Sequence, residues 1–436
     1  AVAGAPRDVE AYLGLAEAAE KMGERAECRT VLHQAADLVA EPGRRRILDF
    51  TGPQRLVPDA WYNAAFAFSP DGAQLAVCSA RQDTNGDGLV NALDRCGLYL
   101  VNAATGEEHP LLDDQWHTMH PVYSPDGRHL MYTSARRDTN GDGRLDYRDN
   151  AGLYLLDLDT GDETCLAADT AQNKYPCFSP DGRRIAWCSW RDVNDRAGIW
   201  LMELESRSER LVVTDRFDQT YPSFTPDGTR LVYPSWRNDT NRDGRIDFHD
   251  HTCILMAEID SRRETLLVPD QHNNLFPSLS PDGRHLLYVS RRRDTNHDGQ
   301  IDSLDNPGLF MLELSTRRER TLVSDDRYST FPSFSPDGRH VLFLSSEPDE
   351  AGTSAAKTVD GYHSRKGIYR IGLKDREPQQ LMSDRFLGCR APRFSPDGQT
   401  IGFQGWRPGT RRGIYLYRPA APYTAEELHA LIDANL

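Results

Sequence analysis

Several signatures of enzymes and membrane proteins are missing from this 436-residue chain. No run of about 18 apolar residues occurs, so the sequence predicts no membrane-spanning helix. There is no Gly-x-Ser-x-Gly elbow, His-Glu-x-x-His motif or phosphate-binding loop, which are the commonest signatures of serine hydrolases, zinc peptidases and nucleotide-binding enzymes. The eight Cys residues show no Cys-x-x-Cys spacing, which argues against a zinc ribbon or a thioredoxin-like redox centre.

Positive charge is also scarce: the chain has 51 Lys and Arg against 66 Asp and Glu, which gives a formal net charge of −15. This balance disfavours nucleic acid and anionic membrane as partners. Cys78, Cys177 and Cys188 lie in β-rich runs and are predicted to be buried thiols. No secretory signal is visible. Unpaired thiols slightly favour the cytoplasm, and calcium-type loops favour the periplasm or secretion, so the compartment stays open.

What the chain does contain is a repeat. A phrase of the form aromatic-Ser-Pro-Asp-Gly, or a near variant, occurs seven times, and its Asp residues are 55, 55, 46, 55, 55 and 60 residues apart. A period of this size is typical of a stacked or circular array. The seven copies are Phe68–Gly72, Tyr123–Gly127, Phe178–Gly182, Phe224–Gly228, Leu279–Gly283, Phe334–Gly338 and Phe394–Gly398.

Each unit has the same predicted strand pattern. An extended run precedes the Pro-Asp-Gly turn, and three further β-rich runs follow it. Four short strands in each of seven units predict an all-β fold, a seven-bladed β-propeller of four-stranded blades. The last unit supplies only three strands, and Gln54–Val57 resembles the missing fourth. We therefore expect an N-terminal strand to complete the last blade and to remove its open edge.

The seven phrases, each followed by a strand and then usually by Ser-x-Arg, resemble the repeats of TolB-type, WD40-like propellers. The resemblance implies the fold, and it implies little about function, because propellers of this type include binding scaffolds, peptidase gates and a few lyases. We predict three parts: a short α-helical hairpin at 1–43, the propeller at 44–420 and a short C-terminal helix at 421–436. The hairpin resembles one tetratricopeptide repeat. Such a repeat cannot bury its apolar face alone, so we expect further repeats to precede it in a longer protein; the alternative is that it packs on the propeller.

Four units carry a nearly identical twelve-residue loop between their second and third strands. Oxygen-bearing side chains occupy loop positions 1, 3, 5, 9 and 12, Gly occupies position 6, and position 7 would contribute its backbone carbonyl. In the first two loops the predicted ligands are Asp83, Asn85, Asp87, Leu89, Asn91 and Asp94, and Asp138, Asn140, Asp142, Arg144, Asp146 and Asp149. In the other two they are Asp239, Asn241, Asp243, Arg245, Asp247 and Asp250, and Asp294, Asn296, Asp298, Gln300, Asp302 and Asp305.

This spacing is that of a calcium loop. A single copy would equally suit an acidic surface turn, but four copies in register favour about four Ca²⁺ ions. The flanking elements are strands, and position 12 is Asp rather than Glu, so the loops resemble dockerin-type calcium loops more than helix-loop-helix EF-hands. Units three, six and seven lack the spacing, so blades one, two, four and five are expected to hold metal.

Two further groups of residues are candidates for a site. An Arg follows the second strand in six units, which favours an ion pair within each blade over a ligand-binding ring; these are Arg81, Arg136, Arg191, Arg237, Arg292 and Arg407. His117, His120 and His272 lie near the predicted mouth of the central channel. TolB-like propeller lyases use histidines and a metal there, so the resemblance makes these three a candidate enzyme site.

The sequence therefore favours a non-enzymatic, calcium-binding propeller scaffold that binds a protein or peptide partner on one face, as a regulatory module or as a fragment of a larger protein. No catalytic or cofactor-binding residues are assigned beyond the calcium ligands. The alternative is a metal-dependent lyase or hydrolase with its site at the channel mouth.

Overall fold

The three-dimensional structure is a computed structural model in which most of the chain is described. The described residues are 12–13, 15–16, 19, 25–38, 53–58, 60–191, 196–214, 217–247, 249–302, 304–346, 367–382, 388–406, 411–418, 428–429 and 432–433. They form one short helix, α1 (Arg25–Leu38), and 29 strands in seven antiparallel sheets. The predicted seven-bladed propeller is confirmed. No helix in this part of the chain is long and apolar enough to cross a membrane.

Blades one to three each contain four consecutive strands. Blade one contains β2 (Tyr62–Phe68), β3 (Gln74–Ala80), β4 (Gly97–Asn102) and β5 (Glu108–Leu112). Blade two contains β6 (His117–Tyr123), β7 (His129–Ala135), β8 (Ala151–Asp157) and β9 (Glu163–Ala167). Blade three contains β10 (Asn173–Phe178), β11 (Arg184–Ser189), β12 (Gly198–Glu203) and β13 (Glu209–Val213).

The remaining blades follow the same plan, except that the inner strand of blade four is split in two. Blade four contains β14 (Asp218–Gln219), β15 (Ser223–Phe224), β16 (Arg230–Trp236), β17 (Thr252–Glu258) and β18 (Glu264–Val268). Blade five contains β19 (Asn273–Leu279), β20 (His285–Arg291), β21 (Gly308–Glu313) and β22 (Glu319–Val323). Blade six contains β23 (Ser329–Phe334), β24 (His340–Ser345), β25 (Gly367–Gly372) and β26 (Gln379–Met382).

Blade seven closes the ring with a strand from the other end of the chain. It contains β27 (Gly388–Phe394), β28 (Ile401–Trp406), β29 (Gly413–Tyr417) and, on its outer edge, β1 (Gln54–Val57). β1 is antiparallel to β29, with Gln54 opposite Leu416, and its Leu56 and Val57 are buried. The edge of β29 is therefore paired, as the sequence predicted.

The Ser-Pro-Asp-Gly phrase, with Thr in place of Ser in blade four, forms the turn between the first and second strands of every blade. In blade two, Ser124 Oγ donates to Asp126 Oδ1 at 2.6 Å, and the backbone N–H of Arg128 donates to the same oxygen at 3.1 Å. These two hydrogen bonds lower the pKa of the Asp126 carboxyl. Gly127 takes the left-handed conformation, with φ of 74°, that ends the turn.

The Arg that follows the second strand forms the predicted ion pair within its blade. In blade two, Arg136 binds Glu163 on the outermost strand through two contacts of 2.8 and 2.6 Å, and its guanidinium lies 3.7 Å from the ring centre of Tyr154. Tyr132 also donates to Glu163. Burial opposes ionisation of Glu163, but the bonds from Arg136 and Tyr132 outweigh it and lower the pKa of this carboxyl. The pair recurs as Arg81–Glu108, Arg191–Glu209, Arg237–Glu264 and Arg292–Glu319; Arg407 lies outside the described residues.

A buried Asn joins neighbouring blades at the start of several inner strands. Asn173 begins the inner strand of blade three and has no exposed surface. Its Oδ1 accepts hydrogen bonds from Trp187 Nε1 at 3.0 Å and Ser189 Oγ at 2.8 Å. Its Nδ2 donates to the carbonyl oxygens of Ala151, Ala168 and Ala171. Since Ala151 belongs to blade two, the side chain fastens one blade to the next. Asn274 makes the equivalent bond to Thr252 of blade four.

The terminal segments share a hydrophobic cluster with blades six and seven. Tyr12, Leu32 and Ala35 are buried in one cluster with Leu428 and Ile432 and with residues of β24, β25 and β28. The described helical residues therefore pack against the propeller, which is one of the two arrangements that the sequence allowed. The other, further repeats upstream, stays a prediction. The tetratricopeptide likeness itself stays a prediction. All eight Cys are free thiols; Cys78 and Cys188 are buried and Cys177 is half-buried.

Candidate functional site

The four acidic loops connect the second and third strands of blades one, two, four and five, as predicted. Strand directions alternate within a blade, so these loops share one face of the ring with the connections between successive blades. We call this side the loop face. In blades three, six and seven the corresponding segments lie largely outside the described residues.

Most side-chain oxygens of each loop accept hydrogen bonds from the loop's own backbone. In the second loop Asp138 accepts from the N–H groups of Gly141 and Gly143, at 2.6 and 2.8 Å. Asn140 accepts from Asp142 N–H at 2.9 Å, and Asp142 from Arg144 N–H at 2.9 Å. The other three loops repeat this pattern in its main bonds. The backbone is thus wound around positions 1, 3 and 5, which are the positions that a calcium loop uses.

The position-12 aspartate is the buried centre of each loop. Asp149 is 1% exposed; its Oδ1 accepts from the N–H groups of Thr139 and Asn140 at 2.7 and 3.3 Å, and its Oδ2 accepts from Asp146 N–H at 3.0 Å. Asp94, Asp250 and Asp305 make the same contacts. Burial opposes ionisation of Asp250, but the backbone N–H groups outweigh it and lower the pKa of this carboxyl. These carboxylates hold the two ends of their loops together.

One carboxylate oxygen in the second loop has no hydrogen-bond partner. Asp146, at position 9, is 1% exposed, and its Oδ1 accepts from Arg148 N–H at 2.8 Å. Its Oδ2 is buried without a hydrogen bond; the nearest cation, Arg148 Nη1, is 3.6 Å away. A buried carboxylate oxygen without a partner is costly, and the oxygen ligands around it are of the kind that Ca²⁺ prefers. The donor set therefore fits calcium.

The carboxylates of the described loops do not converge on one point. Within the described parts of the chain, no three His, Cys, Asp or Glu side chains are grouped as the ligands of a metal ion are. This follows from the hydrogen bonds above, which direct the carboxylates to the loop backbone.

A second feature of the structure is a ring of left-handed residues around the central channel. One residue in the inner strand of each of blades two to seven has φ between 47 and 57°. These residues are His120, Tyr175, Tyr221, Phe276, Phe331 and Ala391. Each is followed by Pro, and the strand register shifts or the strand breaks there. A non-Gly residue in this conformation costs about 1–3 kcal/mol, and such strain concentrates at binding sites.

Five of the six side chains in this ring are aromatic, and they form two groups of contacting rings, one in blades two to four and one in blades five and six. Tyr175 lies between His120 and Tyr221, with ring-centre distances of 5.2 and 3.9 Å. The rings of Phe276 and Phe331 are 4.6 Å apart. The proline after each residue has no N–H, so the irregular strand leaves no donor unpaired at that position. We call these residues the channel ring.

A cavity of about 530 Å³ lies beside the channel ring, at the inner strands of blades one, two, three and seven. Tyr147 and Asp149 of the second acidic loop and Ala92 of the first also line it, so it opens on the loop face. Its cationic lining consists of Lys174, Arg390 and Arg412.

Two of the three predicted channel histidines line this cavity. Burial, with the nearby charges of Lys174 and His117, lowers the pKa of His120 to about 4, so its ring is neutral at pH 7. Burial also lowers the pKa of His117, whose Nδ1 lies 3.1 Å from the carbonyl oxygen of Asp94. His272 precedes the inner strand of blade five, near Arg292 and His251, and does not line the cavity.

Comparison with known proteins agrees with the repeat. Residues 145–297 match the family model of the TolB beta propeller domain. These residues therefore match a TolB-type β-propeller domain. A segment of 85 residues is 28% identical to the Tol-Pal system protein TolB of Alcanivorax borkumensis, over 20% of this chain and 17% of that protein. A segment of 125 residues is 25% identical to the uncharacterized peptidase YuxL of Bacillus subtilis, over 29% of this chain and 16% of the relative. The matched segments thus span less than a fifth of either relative.

Solved structures resemble the TolB-type propeller over most of its length. An oligogalacturonate lyase in complex with manganese has a TM-score of 0.58 at 15% identity, covering 84% of this chain and 92% of that one. A puromycin-hydrolyzing peptidase of Mycobacterium tuberculosis has a TM-score of 0.60 at 13% identity, covering 85% of this chain and 55% of that one. At such identities the likeness is one of fold alone.

The channel ring was not predicted, although the sequence carries a signal for it. In six units the residue pair His-Pro, Tyr-Pro, Phe-Pro or Ala-Pro stands just before the aromatic-Ser-Pro-Asp-Gly phrase. The residue before a proline normally adopts an extended conformation. The repeated pair therefore looked like ordinary strand sequence.

Proposed function

We propose that this chain is a non-enzymatic, calcium-stabilised propeller scaffold that binds a protein or peptide partner on its loop face. The observation that carries the proposal is the four acidic loops, which occupy the same position in four blades and wind their backbones in the same way. About four Ca²⁺ ions would be held by the side chains at positions 1, 3, 5, 9 and 12 and by the carbonyl at position 7. When bound, the ions would neutralise the carboxylates and fix the loops.

The ions are proposed to act as supports and the loop face as the binding surface. Four loops stiffened on one side of a ring form a wide surface that changes little on binding, which reduces the entropy lost when a partner docks. The likeness of 85 residues to TolB, a Tol-Pal system protein, supports a protein partner.

Replacing one exposed loop ligand should remove one ion. Asp142 is exposed, and its side chain accepts a hydrogen bond from a backbone N–H of its own loop, so Asp142→Ala should leave the fold intact. Native mass spectrometry in calcium is expected to give one ion fewer than the unaltered chain. Asp159→Ala, an exposed Asp in the turn after the third strand of the same blade, is the control and should keep the full number. An unchanged ion count in Asp142→Ala would remove the second loop from the set.

The partner proposal has its own test. The immobilised protein is incubated with native extract in calcium or in chelator, beside a variant with Ala at Asp87, Asp142, Asp243 and Asp298. A partner that needs the loop face is expected to be retained by the unaltered chain and by Asp159→Ala in calcium only. If the partner is retained equally in chelator and by the fourfold variant, partner binding does not depend on the loops, and this part of the proposal is wrong.

A second function is favoured by one observation, the cavity that contains His117 and His120. We propose as the alternative a lyase or hydrolase with its site at the channel mouth. The lyase and the peptidase of similar fold support it, because they show that such folds accommodate this chemistry. His117→Ala and His120→Ala test it on polysaccharide and lactone substrates. Loss of a measured turnover in both variants, with unchanged melting, would replace the scaffold proposal; absence of turnover in the unaltered chain would remove the alternative.

A further inference from the structure

The cavity lies where the channel ring has a gap. From blade two to blade six the ring presents aromatic side chains, but blade seven contributes Ala391. The inner strand of blade one lies beside the gap with the small side chain of Ala64, which lines the cavity. The space is about 530 Å³, within the range of small-molecule sites.

The charge of this space differs from that of the chain as a whole. In a protein of net charge −15, three cationic side chains line one cavity: Lys174, Arg390 and Arg412. Lys174 is half-buried, and no carboxylate of the described residues forms an ion pair with it. Arg412 donates to the hydroxyl of Tyr62 at 2.8 Å, a neutral partner.

The carboxylate of the lining, Asp149, does not neutralise these cations. Both of its oxygens accept backbone N–H groups inside the second acidic loop, and the residue is 1% exposed. Lys174 and Arg412 therefore keep their positive charge in the cavity, and an anion that enters would find these two donors without competition from Asp149.

His117 adds a hydrogen-bond acceptor without a partner. The residue is 4% exposed, and its Nδ1 faces the Asp94 carbonyl oxygen at 3.1 Å. A carbonyl only accepts, so Nδ1 carries the proton and Nε2 presents a lone pair. Nε2 is buried and has no hydrogen-bond partner. A buried polar atom in this state is expected to be satisfied by something that the chain does not supply.

We propose that this cavity binds an organic carboxylate, whose charge is held by Lys174 and Arg412 and whose neighbouring O–H or N–H group donates to His117 Nε2. The aromatic walls, Tyr62 and Tyr175, suit the organic body of such a ligand better than an inorganic anion. Two sources share this chemistry: a free hydroxy acid, and the C-terminal carboxylate of a peptide with its preceding N–H. The site goes beyond the proposed calcium scaffold and uses none of the proposed calcium-ligand side chains.

Calorimetric titration of the full chain tests the site with two matched pairs of probes. One pair is gluconate and sorbitol, which differ in the carboxylate; the other is acetyl-Ala-Ala-Ala with a free or an amidated C-terminus. The same titrations are run on Lys174→Met, which keeps the side-chain stem and removes the charge. The control is Lys374→Met, in the exposed turn between β25 and β26. Thermal melts of all three proteins establish that they fold alike.

We expect one of the two acids to bind, and which one identifies the source. Its neutral counterpart and the Lys174→Met variant should each bind at least about tenfold more weakly, since a charge-assisted hydrogen bond contributes about this much. Lys374→Met should bind as the unaltered chain does. The proposal is overturned if neither acid binds, if the neutral counterpart binds equally well, or if Lys174→Met melts normally and binds the acid undiminished.

Discussion

Millimolar calcium is expected to raise the melting temperature of this protein by on the order of 10 °C over the value in chelator. A ligand that binds the folded state alone stabilises it by about 2.7 kcal/mol per site at a hundredfold excess over Kd, and four sites sum to about 11 kcal/mol. The four loops carry acidic side chains within a few residues of one another, so their repulsion in chelator adds to the difference. Differential scanning calorimetry at fixed ionic strength measures it.

Two variants of the second loop separate the effect of the ion from that of the loop's own hydrogen bonds. Asp142→Ala should melt with the unaltered chain in chelator and lose part of the calcium increment, because its side chain accepts one loop N–H. Asp149→Ala should melt lower in both conditions, because that buried carboxylate holds the loop ends together without any ion. Equal melting in calcium and chelator would refute the assignment of all four loops.

The second large effect is expected from Asn173→Leu. The substitution removes a fully buried side chain with five hydrogen bonds and leaves three carbonyls, the Trp187 N–H and the Ser189 hydroxyl without their partner. Each unsatisfied buried group costs about 1–3 kcal/mol, and partial relaxation should leave a net loss of about 4 kcal/mol. Urea unfolding followed by fluorescence should show a lower midpoint at an unchanged slope.

Asn150→Leu is the matched control for that measurement. Asn150 is half-buried at the end of the second acidic loop, where its backbone N–H donates to Thr139 Oγ1. Its replacement should change the unfolding free energy by less than about 0.5 kcal/mol. If both variants unfold at the same urea concentration, the inter-blade hydrogen bonds of Asn173 do not stabilise the fold more than the side chain of Asn150 does.

The fold could be predicted from the sequence because its signal is local and repeated. Every Ser-Pro-Asp-Gly turn carries its own hydrogen bonds, as at Ser124 and Asp126, and seven copies at a regular interval permit few architectures. The closing strand was predictable from the three-strand count of the last unit. An ion pair at each of these Arg residues was predictable, but the Glu that forms it was not. Arg136 and Glu163 are brought together only by the register of three strands.

The channel ring and the cavity could not be predicted, for two physical reasons. Left-handed φ at His120 or Tyr175 contradicts the intrinsic preference of a residue before proline, and only the assembled ring imposes it. The cavity joins side chains from blades one, two, three and seven, and its position depends on where an Ala replaces an aromatic residue. His117 and His120 were candidates by sequence, whereas Lys174 and Arg412 have no signature outside the closed ring.

The closure of blade seven by β1 also constrains the order of folding. Asn63 and Arg412, which are hydrogen-bonded beside that junction, are 349 residues apart in the chain. Contacts between such distant residues form slowly, because the intervening chain must already be compact. During synthesis the six earlier blades can assemble in sequence, while β1 has no partner until β29 has emerged. The nascent protein should therefore remain an open arc with two unpaired edges for most of its synthesis, and a chaperone that shields strand edges would act in that interval.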